Sequence, residues 1–261
     1  MTSALRTAVA GGIGACLFFG CAPSAVAPAH GYKAHLWATA SSEYAAVTLQ
    51  TYRAASRMLE PALADSTWTA CIEQGAAYES LPPALIVDLD ETVLDNRPFQ
   101  LRMIEEHRDF DIDLWNAWVR EKRADVIPGS LEFLHAADDL GIEIFYLTNR
   151  EHAVEQPTRE RMVELGLPID TEHDSVLTKH ERPGWDGGKV TRRKFIAETH
   201  RVLLIVGDDL RDFVAVQGDS RERRRGTTFV HAAMWGEKWF MLPNPIYGGW
   251  VAASKAKDTP K

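Results

Sequence analysis

The stretch "DLDETVLD" places four carboxyl groups, Asp88, Asp90, Glu91 and Asp95, within eight residues, directly after the apolar run 85–87. A carboxylate at the end of a buried segment loses its water, and like charges repel. Such crowding costs free energy unless something neutralises it. Three further stretches carry reactive polar residues beside apolar ones. Thr148, Asn149 and Arg150 follow "IEIFYL", Lys189 lies in "GGKVTRR", and Asp208, Asp209 and Asp212 belong to "VLLIVGDDLRD". If all four stretches met, they would gather several carboxylates, a lysine and a hydroxyl. Oxygen ligands in that number favour a hard divalent cation, and Mg²⁺ suits them best.

The elements that would bring them together can be read from periodicity. Residues 42–63 are helical in pattern, with Tyr44, Val47, Tyr52, Ala55, Leu59 and Ala62 on one face and Ser42 as the N-cap. Pro82 and Pro83 close that region. Strands are expected at 85–89, 142–147, 175–177, 202–206 and 227–231, with helices at 130–140, 155–165, 189–199 and 209–217 between them. Gly141 and Gly166 end the first two of those helices. Strands alternating with helices indicate an α/β fold, a Rossmann-like doubly wound parallel sheet. In such sheets ligands sit beyond the carboxyl ends of the strands, where these four stretches fall. There is no internal repeat at 20–50 residues.

Four motifs in this order, Asp-x-Asp-x-Thr at 88–92, Thr148, Lys189 and Gly-Asp-x-x-x-Asp at 207–212, resemble the haloacid dehalogenase superfamily of phosphotransferases. "LDETVLDN", "FYLTNR" and "MLPNPIYGGW", together with a lipobox-like N-terminus, resemble its class C acid phosphatases, bacterial lipoprotein phosphatases and 5'-nucleotidases. The resemblance runs from about Ser42 to Trp250. It implies Mg²⁺-dependent hydrolysis of small phosphomonoesters, 5'-mononucleotides among them, through an aspartyl-phosphate. Asp88 would be the nucleophile and Asp90 the general acid and then base. Asp88, the Asp90 carbonyl and Asp208 would hold the metal, with Asp209 and Asp212 orienting its waters. Thr148, Asn149 and Lys189 would bind the phosphoryl oxygens. Lys179 and Lys194 are nearby alternatives to Lys189, and Asp95 is read as binding its own backbone.

The resemblance also implies aromatic stacking of the leaving group, for which Trp115, Tyr247 and Phe99 are the candidates. Core packing is the competing role for Trp115, and the favoured one for Trp118 and Trp239. The nine histidines include no metal-binding pair, and none lies in the four motifs. A phosphotransferase and a non-catalytic surface lipoprotein are the alternative functions.

Arg6 precedes an uncharged apolar stretch, 7–21, suited to a signal peptide and short for a membrane span. It ends in "FFGC", so residues 1–21 read as a lipoprotein signal with Cys21 lipidated, although Phe18 stands where the lipobox has Leu. Cleavage after Ala27 is the other possibility, with Pro28 opposing it. Residues 22–31 read as a tether, 32–81 as an N-terminal helical region, 82–250 as the core with a 97–126 helical insertion, and 251–261 as a tail. The N-terminal helix and the insertion would form a small helical second domain over the site. Export and anchoring to a bacterial, outer, membrane follow from this reading. Cys71 would be left without an intrachain disulfide partner. The 261 residues, 45% hydrophobic, suffice for one medium domain, and the net charge of −8 disfavours a nucleic-acid polymer as partner. The basic run "RERRRG" reads as a solvated loop.

Overall fold

The computed structural model describes residues 31–170, 172–216 and 220–255. The signal segment, Cys21 and the tether up to residue 30 lie outside the described residues, as does the tail beyond 255.

The chain enters through α1 (Tyr32–Ala40) and α2 (Ser42–Ala64). The N-cap of α2 is Ser41 rather than Ser42. Ser41 is extended, and its hydroxyl accepts from the Tyr44 N–H at 3.0 Å. The buried stripe of α2 is Tyr44, Thr48, Tyr52, Ala55, Leu59 and Ala62, whereas Val47 is exposed. Steps of four, four and three keep that stripe on one side, and Thr48 satisfies its own hydroxyl by donating to the Ala45 carbonyl. The helix ends at Ala64, well before the two prolines.

Next come β1 (Pro83–Val87), β2 (Leu94–Asp95), α3 (Arg97–Glu105), α4 (Ile112–Glu121), β3 (Asp125–Val126), α5 (Ser130–Asp139) and β4 (Glu143–Glu151). The sequence then forms α6 (Glu155–Glu164), β5 (Val176–Lys179), α7 (Val190–Ala197) and β6 (Arg201–Gly207). It finishes with α8 (Leu210–Phe213), α9 (Arg221–Val230), β7 (Trp239–Met241) and α10 (Gly249–Lys255). Gly141 and Gly166 lie just past α5 and α6 with φ of 70° and 75°, the left-handed turn that ends a helix most cheaply in glycine.

Five strands form one parallel sheet in the order β5-β4-β1-β6-β7. Every residue of β6 and all but the first of β1 are buried, as expected when helices cover both faces. One face packs against α2 and α5, with Leu85, Val87, Tyr146 and Leu204 in its core; the other packs against α7 and α8, with Ile86, Leu147, Ile205 and Trp239. Strand order reverses about β1, so the crevice opens at the carboxyl ends of β1, β4 and β6.

Three expectations fail toward the far edge. Residues 227–231 are not a strand; they fall in the last turn of α9 and just beyond it, and the edge strand is Trp239–Met241. "TTFV" has local strand preference, but Ser220 caps a helix there by accepting from the Arg223 N–H, and no residue of α9 is buried. "RERRRG" is thus the solvated start of a helix, not a loop. The expected helix 209–217 is a single turn, α8.

Candidate active site

Asp88 stands one residue beyond β1, fixed by its N–H donating to the Val206 carbonyl at 2.9 Å. The chain then turns sharply, with the Val93 and Leu94 N–H groups both donating to the Leu89 carbonyl and Glu91 at a φ of 58°. Thr92 donates back to Asp88 Oδ2 at 2.8 Å. From outside the sheet the Tyr52 hydroxyl donates to the Thr92 carbonyl at 2.6 Å, so α2 braces the loop that follows Asp88.

Lys189 is the buried lysine of the site, 3% exposed. Its Nζ pairs with Asp88 and lies 2.7 Å from Asp212 Oδ1. Lys179 also lines the cavity but pairs with Glu151. At the end of β6, Asp212 Oδ2 accepts from the N–H groups of both Asp208 and Asp209, which wraps the loop around that carboxylate. A Cβ on Gly207 would sit 2.5 Å from the same oxygen and 2.6 Å from the Asp212 Cβ, so the motif demands glycine. Asp208 accepts from Asn244 Nδ2 at 2.6 Å, and Asn244 Oδ1 in turn accepts from the N–H groups of Ile246 and Tyr247.

Asp88, Asp208 and Asp212 offer carboxylate oxygens all within 4.8 Å of one another. Burial pushes the Asp88 carboxyl up to about 7, against the pull of Lys189 and with repulsion from Asp212 and Asp90 adding to it. Burial and the neighbouring Asp88 and Asp212 likewise push Asp208 well above the usual carboxylate range. Burial alone would lower Lys189, but Asp212 and Asp88 outweigh it and hold the ammonium above its ordinary value. Asp209 does not join this trio. It caps α8 and accepts from Arg211, Gly249 and Arg224; the N–H and guanidinium of Arg211, with the Gly249 N–H, hold it down to about 2 despite its burial.

Asp90 is gripped from β4. Arg150 Nη2 and Nε donate to its Oδ1 at 2.8 and 3.0 Å, Asn96 Nδ2 adds a third bond at 2.9 Å, and Thr148 donates to Oδ2 at 3.2 Å. Sequence reading assigned no role to Arg150, Asn96 or Asn244. Arg150 had a signal: it lies two residues after Thr148 on a strand, hence on the same face. Asn149, between them, points elsewhere; its Nδ2 donates to the Gly187 carbonyl and its Oδ1 accepts from Arg192. Asp95 accepts from the Arg97 N–H two residues on and pairs with its guanidinium, consistent with a local role.

Above these groups opens a cavity of about 480 Å³ that Asp88, Asp90, Asn149, Lys189 and Asp208 share with Phe110, Trp115 and Tyr247. Phe99 is no part of its wall. It is wholly buried behind Trp115, ring centroids 5.1 Å apart, and on its other side packs near Trp118. Phe110, 66% exposed, takes the position at the mouth that sequence reading gave to Phe99. Trp118 and Trp239 are core residues whose indole N–H groups donate to Asn96 Oδ1 and the Ala70 carbonyl.

Residues 20–250 match the sequence profile of HAD superfamily, subfamily IIIB (acid phosphatase). The chain belongs to this acid phosphatase family. It is similar to the class C acid phosphatase from Bacillus anthracis, at 31% identity and a TM-score of 0.75, covering 85% of this chain and 87% of that one. A second structure of the Bacillus enzyme, with tungstate bound, matches equally well. A stem 28 kDa glycoprotein of Glycine max is 23% identical over 167 residues, and the match spans 62% of this chain and 58% of that protein's length.

Acid phosphatases of the HAD fold generally work with a divalent metal, and the donor set fits one. Three carboxylates crowd a buried site in which one lysine supplies the nearby positive charge, and two of the three are driven toward protonation. A hard dication accepting oxygen ligands would relieve that repulsion.

Proposed function

We propose that the protein is a Mg²⁺-dependent phosphomonoesterase that acts on small phosphate esters, 5'-mononucleotides among them, through a phosphorylated Asp88. The observation that carries this is the placing of two carboxylates, two residues apart, in unlike surroundings. Asp88 is buried against Lys189, while Asp90 faces the same cavity from beside it, held by Arg150 and Thr148.

Asp88, Asp208 and Asp212, with the Asp90 carbonyl that the family resemblance adds, would hold the cation, which supplies charge neutralisation to the phosphate and the nucleophile. Asp88 attacks phosphorus with a carboxylate oxygen as the ester P–O bond breaks. Asp90 gives its proton to the departing alkoxide. It then takes a proton from a water that attacks phosphorus, and the P–O bond to Asp88 breaks, restoring both carboxyl groups. Lys189 supplies positive charge to the transferring oxygens, while Asn149, its amide held by Gly187 and Arg192, only lines the cavity. Trp115, Phe110 and Tyr247 offer aromatic faces to a base or aryl leaving group, and stacking of this kind is tolerant of base identity. Cys21 would carry the lipid that tethers the exported enzyme to the membrane.

Replacing Asp88 by Asn is expected to lower phosphate release from AMP by about four orders of magnitude or more; a wild-type rate would overturn the mechanism. Chelation is expected to abolish turnover and added Mg²⁺ to restore it. Incorporation of labelled palmitate that disappears in Cys21→Ser tests the anchor.

A further inference from the structure

We propose that Arg150 is the positioning residue for proton transfer by Asp90, and that it selects Oδ2 as the oxygen that carries the proton. The assignment deepens the reading of Asp90 as general acid and rests on it.

Arg150 is 2% exposed and makes a forked contact with one carboxylate. Nε and Nη2 both reach Oδ1, and Asn96 Nδ2 reaches the same atom, so Oδ1 accepts three N–H donors. A carboxylate oxygen has two lone-pair sites, so Oδ1 has no capacity left for a proton. Oδ2 has only the Thr148 hydroxyl at 3.2 Å and a long contact to Nε at 3.3 Å. The Thr148 oxygen accepts from the Arg150 N–H at 3.0 Å, which leaves its own hydrogen directed at Oδ2. One residue therefore fixes both sides of the carboxyl, one through its guanidinium and the other through its backbone.

Arg150 is itself held at several points. Nη1 donates to Thr158, which is buried and donates to the Val154 carbonyl; Nη2 lies 3.4 Å from Asn96 Oδ1; and the guanidinium carbon is 5.8 Å from the centroid of Trp115. A planar fork anchored at its far corner sets the rotation of the carboxyl that it clasps, and a proton donor transfers efficiently only when its hydrogen points at the departing oxygen. The place where the leaving group stacks and the group that protonates it are thus joined through one side chain.

A residue that merely supports the fold would slow every substrate equally. A residue that aims a general acid slows only those whose leaving group needs a proton. The test compares kcat/KM for glycerol 2-phosphate, whose alkoxide requires protonation, with that for 2,4-dinitrophenyl phosphate, whose phenolate does not. Using their ratio removes any effect of a reduced folded fraction. Arg150→Met is expected to lower the ratio by about 10²-fold, within the range a general acid contributes. Arg150→Lys, which keeps the charge and loses the fork, should recover only part of it. Thr158→Val, a milder change at the far anchor, should move the ratio in the same direction. Asp90→Asn is the benchmark, and adding Arg150→Met to it should change the ratio no further. Equal losses on both esters in Arg150→Met, beside a collapsed ratio in Asp90→Asn, overturn the Arg150 assignment alone. An unchanged ratio in Asp90→Asn overturns the general-acid reading and the assignment with it.

Discussion

The floor and the wall of the cavity are built on opposite terms. On the floor each charged group is tied at several points: Asp212 to two backbone N–H groups and Lys189, Asp208 to Asn244, Asp88 to Thr92 and Lys189. On the wall, Phe110 is 66% exposed, and among the described residues its ring meets only that of Trp115, with centroids 6.3 Å apart. Chemistry on phosphorus needs fixed charges at fixed distances, whereas recognition of varied leaving groups gains from a surface that adapts. The contrast predicts that damage to the floor appears in kcat with every ester, and damage to the wall in KM with aromatic esters only.

After Asp88→Asn, the largest break should come from Lys189→Met, which removes the cation between two carboxylates and from the phosphoryl oxygens. A loss in kcat of about 10² to 10³-fold is expected on alkyl and aryl esters alike, measured by phosphate release at saturating substrate. Next is Gly207→Ala. Its Cβ cannot coexist with the Asp212 side chain at 2.6 Å, and the strain is expected to cost about 1–3 kcal/mol, read as a lowered midpoint in urea. Phe110→Ala sharpens the contrast from the other side. The KM for AMP should rise about fivefold, from the lower end of the energies measured for stacking, with kcat and the KM for glycerol 2-phosphate unchanged. A rise for both esters would mean that the wall does more than stack. The smallest effect is expected from Tyr52→Phe, which removes one buried hydrogen bond to the Thr92 carbonyl. About 1 kcal/mol of stability should be lost, with kcat within a factor of about three of wild type.

Much of the floor was legible because its aspartates belong to local motifs at strand ends and Lys189 to the start of a helix. Asp88, Thr148, Lys189, Asp208 and Asp212 could be placed at one edge once the strands were recognised as parallel. Helices α2, α5, α6 and α7 and the inner strands were legible too, since periodic segments determine their own type. What was hidden depends on contacts across the chain. The grip of Arg150 on Asp90 spans 60 residues, and that of Asn244 on Asp208 spans 36. Arg150 carries only the weak local signal of sharing a strand face with Thr148, and nothing in the immediate neighbourhood of Asn244 distinguishes it from a surface side chain. The last parallel strand was missed because three residues carry no periodicity, and residues 227–231 drew it away with stronger local preference. Phe99 was misplaced because proximity to the first motif in sequence says nothing about which side of Trp115 a ring occupies.

Asn244 has a bearing on biosynthesis. A ribosome that has already made Asp88, Asp90, Lys189 and Asp212 has not yet made the amide that steadies Asp208, nor the Tyr247 segment whose N–H groups the same amide accepts from. The emerging polypeptide can pair its strands early while its reactive centre stays unfinished. The acid phosphatase site would then be complete only once Asn244 and the residues after it have been synthesised.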